Sequence, residues 1–212
     1  MDRVLADLFR DAPLRDRTHI RLRWSSCPFP EVAAAVPERG RILEIGCGHG
    51  LFSAYLAAGS PQRDVVGIDI DERKIALAEL AIRRGAKMRV QRVEPGALPD
   101  GTWDAAVIVD VLYLLPEDDQ RRMISLAARA LAEGGRLIVK ETALRPAWKF
   151  RLTQLQELLM VKITRITAGQ DIAFVGSEAI AGWMRAEGLS VSERPLEAGS
   201  LHPHVLIVGD RR

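Results

Sequence analysis

Ten residues, Ile42-Leu43-Glu44-Ile45-Gly46-Cys47-Gly48-His49-Gly50-Leu51, constrain the fold of this chain more than any other stretch. A short apolar run ends in three glycines at alternate positions. The run suits a parallel strand buried on both faces. The glycines remove every Cβ where the backbone must turn and where a ligand can lie against it. Leu51 to Ala58 continues with a helical pattern. The loop therefore opens on a helix N-terminus, whose unpaired N–H groups favour acceptor atoms.

The dinucleotide-binding fingerprint requires its last glycine three residues after the second, and Leu51 stands there instead. Glu44 would repel a pyrophosphate but suits a ligand carrying an ammonium or a sulfonium. At Glu44, Gly46, Gly48 and Gly50 the chain resembles the class I S-adenosylmethionine-dependent methyltransferases, whose first motif is E/D-x-G-x-G-x-G. The resemblance implies S-adenosyl-L-methionine as cofactor and an α/β fold. That fold is a three-layer Rossmann-like sandwich around a mostly parallel seven-stranded sheet, order 3-2-1-4-5-7-6, with strand 7 antiparallel.

Asp64 to Asp71 reads as a second parallel strand ending in acids, and Asp69 falls 19 residues after Gly50. That distance allows a helix and a return strand, which sets a carboxylate beside the glycine loop to accept from both ribose hydroxyls. Asp71 caps the following helix, Glu72 to Arg84, which Gly85 ends. Lys87 to Val93 alternates as a third strand, and in the loop after it Glu94 matches the place where relatives meet the adenine amino group, with Ala97 and Leu98 walling the ring. Glu44, Gly46, Cys47, Gly48, Gly50, Asp69, Ile70, Glu94 and Asp110 are thus the expected cofactor-binding residues.

At 212 residues, with 48% hydrophobic and 27% charged residues, the chain suits one soluble globular domain spanning 1–212. No apolar run approaches a membrane span of about 18 residues. The N-terminus has no signal-peptide core, so a cytoplasmic location is expected. Cys27 and Cys47 make no disulfide framework and are expected as free thiols. A net charge of +2 does not imply a nucleic-acid partner. Only five of the 30 basic residues are lysines, which fits a GC-rich coding bias better than a phosphate-binding role.

Residues 1–35 form an N-terminal extension: a helical start at Val4, Leu5, Leu8 and Phe9, an arginine-rich stretch to Trp24, then Pro28 and Pro30. It is either a solvated helix packing Ile20, Leu22 and Trp24 on the sheet or, as the family implies, a lid over the methyl donor. Trp103 to Pro116 reads as a fourth strand and its loop, with Asp104 structural and Asp110 to Tyr113 facing the ligand crevice at the strand's carboxyl end. Neither the N/D-P-P-Y/F pattern nor a Pro-Cys nucleophile occurs here. Glu117 to Ala132 follows as a helix, Gly134-Gly135 as a turn and Arg136 to Glu141 as the fifth strand.

Residues 145–170 are expected as a helical insertion carrying the stripe Trp148, Leu152, Leu155, Leu159, Ile163 and Ile166. With basic residues between its apolar faces, it suits an acceptor-pocket cover, a dimer surface, a peripheral membrane contact or a helix buried by the N-terminal extension. Ser177 is expected to cap a helix from Glu178 to Ala186, before two strands at Leu189 to Arg194 and His202 to Gly209.

Methyl transfer from a sulfonium needs positioning above all, and a base only for a protonated acceptor. The titratable candidates are His19, His49, Asp110, Tyr113, Glu141, His202 and His204; His19, Tyr113 and Asp110 are the expected catalytic set. No metal site is expected, because His202 and His204 have no third ligand near them. The expected activity is methyl transfer to a small-molecule or lipid-like acceptor. The alternatives are a catalytically silent S-adenosylmethionine-binding partner protein and an NAD-dependent oxidoreductase.

Overall fold

The computed structural model describes residues 3–142, 174–196 and 204–212. Seven strands, β1 (Gly40–Ile45), β2 (Arg63–Asp69), β3 (Met88–Arg92), β4 (Trp103–Val109), β5 (Leu131–Thr142), β6 (Ser190–Leu196) and β7 (His204–Asp210), form one sheet in the order β3-β2-β1-β4-β5-β7-β6. β1 to β5 run parallel, and β7 is antiparallel to both β5 and β6. This is the expected topology. Its strand order reverses between β1 and β4, so the ligand crevice of such a sheet opens at their carboxyl ends.

Successive residues of the central strands serve opposite faces. Ile42, Val65, Ala105, Val107 and Ile138 pack under α1 (Arg3–Leu8), α2 (Leu14–Ser26), α3 (Phe29–Ala33), α4 (Leu51–Gly59) and α5 (Glu72–Arg83). Leu43, Val66, Ala106, Ile108, Leu137 and Val139 pack under α6 (Glu117–Arg129) and α7 (Ser177–Ala186). Continuous apolar strands between two helical layers are what covered parallel sheets require. The N-terminal extension therefore forms part of one layer and is no mere appendage. Of the residues expected to dock it, Ile20 is buried and Trp24 half-buried, whereas Leu22 faces solvent at 57% exposure.

Most boundaries shift from expectation by one or two residues, and three differences have a local cause or consequence. The helix expected to reach Ala132 stops at Arg129, and β5 begins at Leu131, with Gly134 and Gly135 inside a bulge. The cause is a second ladder contact: Trp103 N donates to Ala130 O at 2.9 Å, and the register shifts between Trp103↔Leu131 and Ala105↔Arg136. Ser177 is the first helical residue of α7, Gly176 holds the cap position, and no side chain caps it. Asp71 does cap α5 as expected, accepting from Arg73 N and Lys74 N. The insertion at 145–170 and His202 lie outside the described residues.

Candidate active site

The glycine loop is pinned by Gly46 N and Cys47 N, which both donate to Ile68 O at 2.8 and 2.9 Å. Its three glycines all have positive φ, at +76°, +54° and +74°, yet each meets a different neighbour. A Cβ on Gly46 would lie 2.5 Å from Val111 Cγ2, and one on Gly50 would lie 2.9 Å from both Ala78 Cβ and Met88 Cε. These two serve packing. A Cβ on Gly48 would meet nothing within 4 Å, so Gly48 alone presents bare backbone to the open crevice. The Cys47 side chain turns inward, to where a Cβ on Gly67 would lie 2.8 Å from Cys47 Cβ.

Asp69 closes the loop from the end of β2. Its Oδ2 accepts from Gly48 N at 2.8 Å and its Oδ1 from Asp71 N at 2.9 Å. A carboxylate offers about four acceptor positions, so two remain for hydroxyls. Ile70 beside it is 56% exposed, an apolar surface suited to a ring. Glu94, by contrast, stands on the exposed rim and pairs with Arg92 at 3.0 Å. Glu44 is buried under the loop and accepts from Ser53 Oγ; burial pushes its carboxyl up to about 7, with Ser53 opposing in part.

Ion pairs and a histidine contact tie α2, from the segment expected either as a docked helix or as a lid, to the glycine loop, α5 and the end of β4. Near the start of α2, buried Asp16 takes two hydrogen bonds from Arg73, at 3.0 and 2.9 Å, and faces His49 Nε2 at 3.5 Å. The His19 ring lies 5.2 Å from that of His49. Burial first, and then His49, hold His19 down at about 4, so both rings are neutral at pH 7; burial likewise lowers His49. Towards its end, Arg23 reaches Asp110 Oδ2 at 2.7 Å and Val109 O at 3.3 Å.

Asp110 occupies the left-handed region at φ +54°, the one non-glycine residue there among those described. Lys140, buried in β5, holds it with Nζ at 2.6 and 2.7 Å and with its carbonyl, which accepts from Asp110 N at 2.9 Å. Burial opposes the charge on Asp110, but Lys140 and Arg23 together outweigh it and hold the carboxyl well below the usual range. Glu141 Oε1 accepts from Val111 N and Leu112 N. Tyr113 stacks on Phe174 with centroids 5.4 Å apart, and His204 Nε2 contacts Ser26 O at 3.1 Å.

The structure thus gathers Glu44, Gly48, Asp69, Ile70 and Asp110 at the carboxyl ends of β1, β2 and β4, with His19 of α2 against His49. Asp16, Arg23 and Lys140 were not anticipated. Lys140 carried a signal, since a lysine ending the run Leu137-Ile138-Val139 must find a buried partner. The arginine-rich stretch gave none that distinguished Arg23 from its neighbours. A sulfonium donor fits these residues: Gly48 faces open space, Asp69 keeps acceptor capacity, and Glu44 suits a nearby positive charge.

Comparison with known proteins agrees with that geometry. A family described as a methyltransferase domain matches residues 42–135. Demethylmenaquinone methyltransferase of Thermus thermophilus is 30% identical over 205 residues, 90% of each chain. Ubiquinone biosynthesis O-methyltransferase of Xanthomonas axonopodis pv. citri is 28% identical over 185 residues, covering 85% of this chain and 73% of that protein. Among solved structures, an O-methyltransferase family protein from Burkholderia thailandensis superposes with a TM-score of 0.73 at 21% identity, covering 97% of this chain, which spans 61% of that longer one.

Proposed function

This chain belongs to the class I S-adenosylmethionine-dependent methyltransferases, and from that membership we propose that it methylates a small aromatic acceptor of the quinol type. The observation that carries the acceptor class is the similarity to demethylmenaquinone methyltransferase over nine-tenths of both chains. The NAD-dependent alternative falls with the family membership.

When bound, S-adenosylmethionine supplies a methyl carbon on a positively charged sulfur, open to in-line displacement. In this reading Asp69 holds the ribose, Ile70 supports the adenine, Gly48 admits the donor against its backbone and Glu44 lies at the methionine end. Asp110, committed to Lys140 and Arg23, positions α2 over the crevice and helps exclude water. Tyr113, stacked on Phe174, offers the acceptor ring an aromatic wall. His19 adds a neutral one.

The outward side of α2 exposes Leu14, Leu22, Arg15 and Arg21, which suits peripheral contact with an anionic bilayer holding a lipid-like acceptor. Among the described residues no helix is long and apolar enough to cross a membrane.

The test is methyl transfer from labelled donor to reduced quinol, lipid, RNA and protein pools, beside donor binding by calorimetry. Label entering the quinol pool is the expected result. Label in RNA or protein instead would overturn the acceptor class, and donor binding without transfer to any pool would favour the catalytically silent partner protein. Unchanged turnover in both His19→Ala and Tyr113→Phe would remove those two residues from the acceptor side.

A further inference from the structure

We propose that Glu141 is the catalytic proton acceptor, taking the proton of an acceptor hydroxyl through one intervening water, which makes oxygen the methylated atom. This rests on the methyltransferase reading above. Glu141 lies next to last in β5, at the carboxyl edge where the crevice opens. Among the described residues both of its hydrogen bonds go to Oε1, from Val111 N at 3.2 Å and Leu112 N at 2.9 Å. The carboxylate is thereby fixed to the loop that follows β4.

Glu141 lines a cavity of about 10 Å³ together with Leu112, Tyr113, Gln120, Thr142 and Phe174. A space of that size holds about one water, and four of its walls are polar enough to bind one. The stacked rings of Tyr113 and Phe174 set this cavity beside the surface assigned to the acceptor.

Glu44, raised to about 7, is buried under the glycine loop and already accepts from Ser53, and Asp110 and His19 are poor proton acceptors. Two cations hold Asp110 well below the usual carboxylate range, and burial holds His19 at about 4. At Glu141 burial first, and the charge of Asp110 second, push the carboxyl up to about 8, with Lys140 opposing in part. Among the described residues that line the cavity, the other elements contribute Gln120 from α6, Ile180 from α7 and Tyr113 from the turn after β4, none of them Asp, Glu, Lys, Arg or His; β7 brings His204 opposite Thr142. A base of that strength approaches a phenol more closely than an ordinary carboxylate does.

The step balances. The acceptor oxygen bonds to the methyl carbon as the carbon–sulfur bond breaks, its electron pair remaining on sulfur as a neutral thioether. The hydroxyl proton passes through the water to Glu141, which becomes a neutral carboxyl.

The experiment compares the full chain with Glu141→Gln and Glu141→Asp, using catechol and 4-nitrocatechol, the latter already ionised at neutral pH. Glu141→Gln should lower catechol turnover about 100-fold or more. It should leave 4-nitrocatechol turnover and donor affinity within about threefold, because a pre-ionised acceptor needs no base. In the wild type, turnover should rise with pH through about 8, and that limb should vanish in Glu141→Gln and persist in Glu141→Asp. Equal losses on both acceptors, undiminished catechol turnover, a surviving limb in Glu141→Gln, or lost donor binding in that variant alone would each overturn the proposal. So would a wild type that methylates neither phenol. A wild type that fails to bind S-adenosylmethionine would overturn the methyltransferase reading itself, an outcome distinguishable from the others by calorimetry alone.

Discussion

Along the donor wall of the crevice, Gly48, Asp69 and Asp71 are joined by short hydrogen bonds between residues 21 and two positions apart in the chain. Along the wall of the proposed lid, α2, Arg23 reaches across 86 residues to Val109 and bonds Asp110, which Lys140 grips from a third element. The donor wall is mostly backbone conformation plus one carboxylate with capacity to spare. The lid wall is three buried or half-buried charges that satisfy one another. Binding surfaces need groups left partly unsatisfied, whereas a helix held in place needs groups that find partners, and the proposed roles of the two walls match that division.

The largest effect should come from breaking the lid wall. Lys140→Met leaves Asp110 buried beside the half-exposed Arg23 and without its closest cation, and should cost about 3–5 kcal/mol in urea unfolding. A loss below about 1 kcal/mol would mean that Lys140 does not hold the cluster. The donor wall should fail differently. Asp69→Ala, which on the proposed reading removes the ribose acceptor, should weaken donor binding about 100-fold or more by calorimetry, two charge-assisted hydrogen bonds being worth about 1.5–3 kcal/mol each. Its urea midpoint should move less than that of Lys140→Met. The reverse order would erase the contrast between the walls.

Acid should loosen the lid further through His19. Its folded value of about 4 lies below the ordinary 6.5, so the unfolded chain takes up a proton over that interval while the folded chain does not. The stability His19 contributes is therefore complete above pH 6.5 and is lost as pH falls towards 4. His19→Gln should flatten the melting temperature over that interval, and an unchanged slope would show that His19 is not the group responsible. The smallest effect is expected at Asp71→Ala, which removes a helix cap worth about 1 kcal/mol. Combined with Lys140→Met it should add within about 0.5 kcal/mol, because the two share no partner. Coupling beyond that would mean the walls act as one unit.

Much of the donor wall could be read before folding was considered. The run Ile42 to Ile45, the glycines after it and the distance to Asp69 are local requirements: a strand, a turn that needs positive φ, and a crossover of ordinary length. Even there, the spacing did not say that Gly46 and Gly50 answer to Val111, Ala78 and Met88 while, of the three, only Gly48 faces open space. The bulge at Gly134-Gly135 is not legible in the sequence because a glycine pair reads equally as a turn, and only the ladder bond from Trp103 N to Ala130 O pulls it into the strand.

The order of residues was enough to establish the sheet, its crossovers and the donor motif, since apolar periodicity and glycine placement act within a few turns of chain. It could not select Arg23 from among the arginines of α2, nor assign Asp110 to an ion cluster, nor set Glu141 against the loop after β4. Those are consequences of burial. Charges far apart in sequence acquire strong, specific preferences for one another only when folding removes the water between them, and that removal happens where β4, β5 and α2 converge.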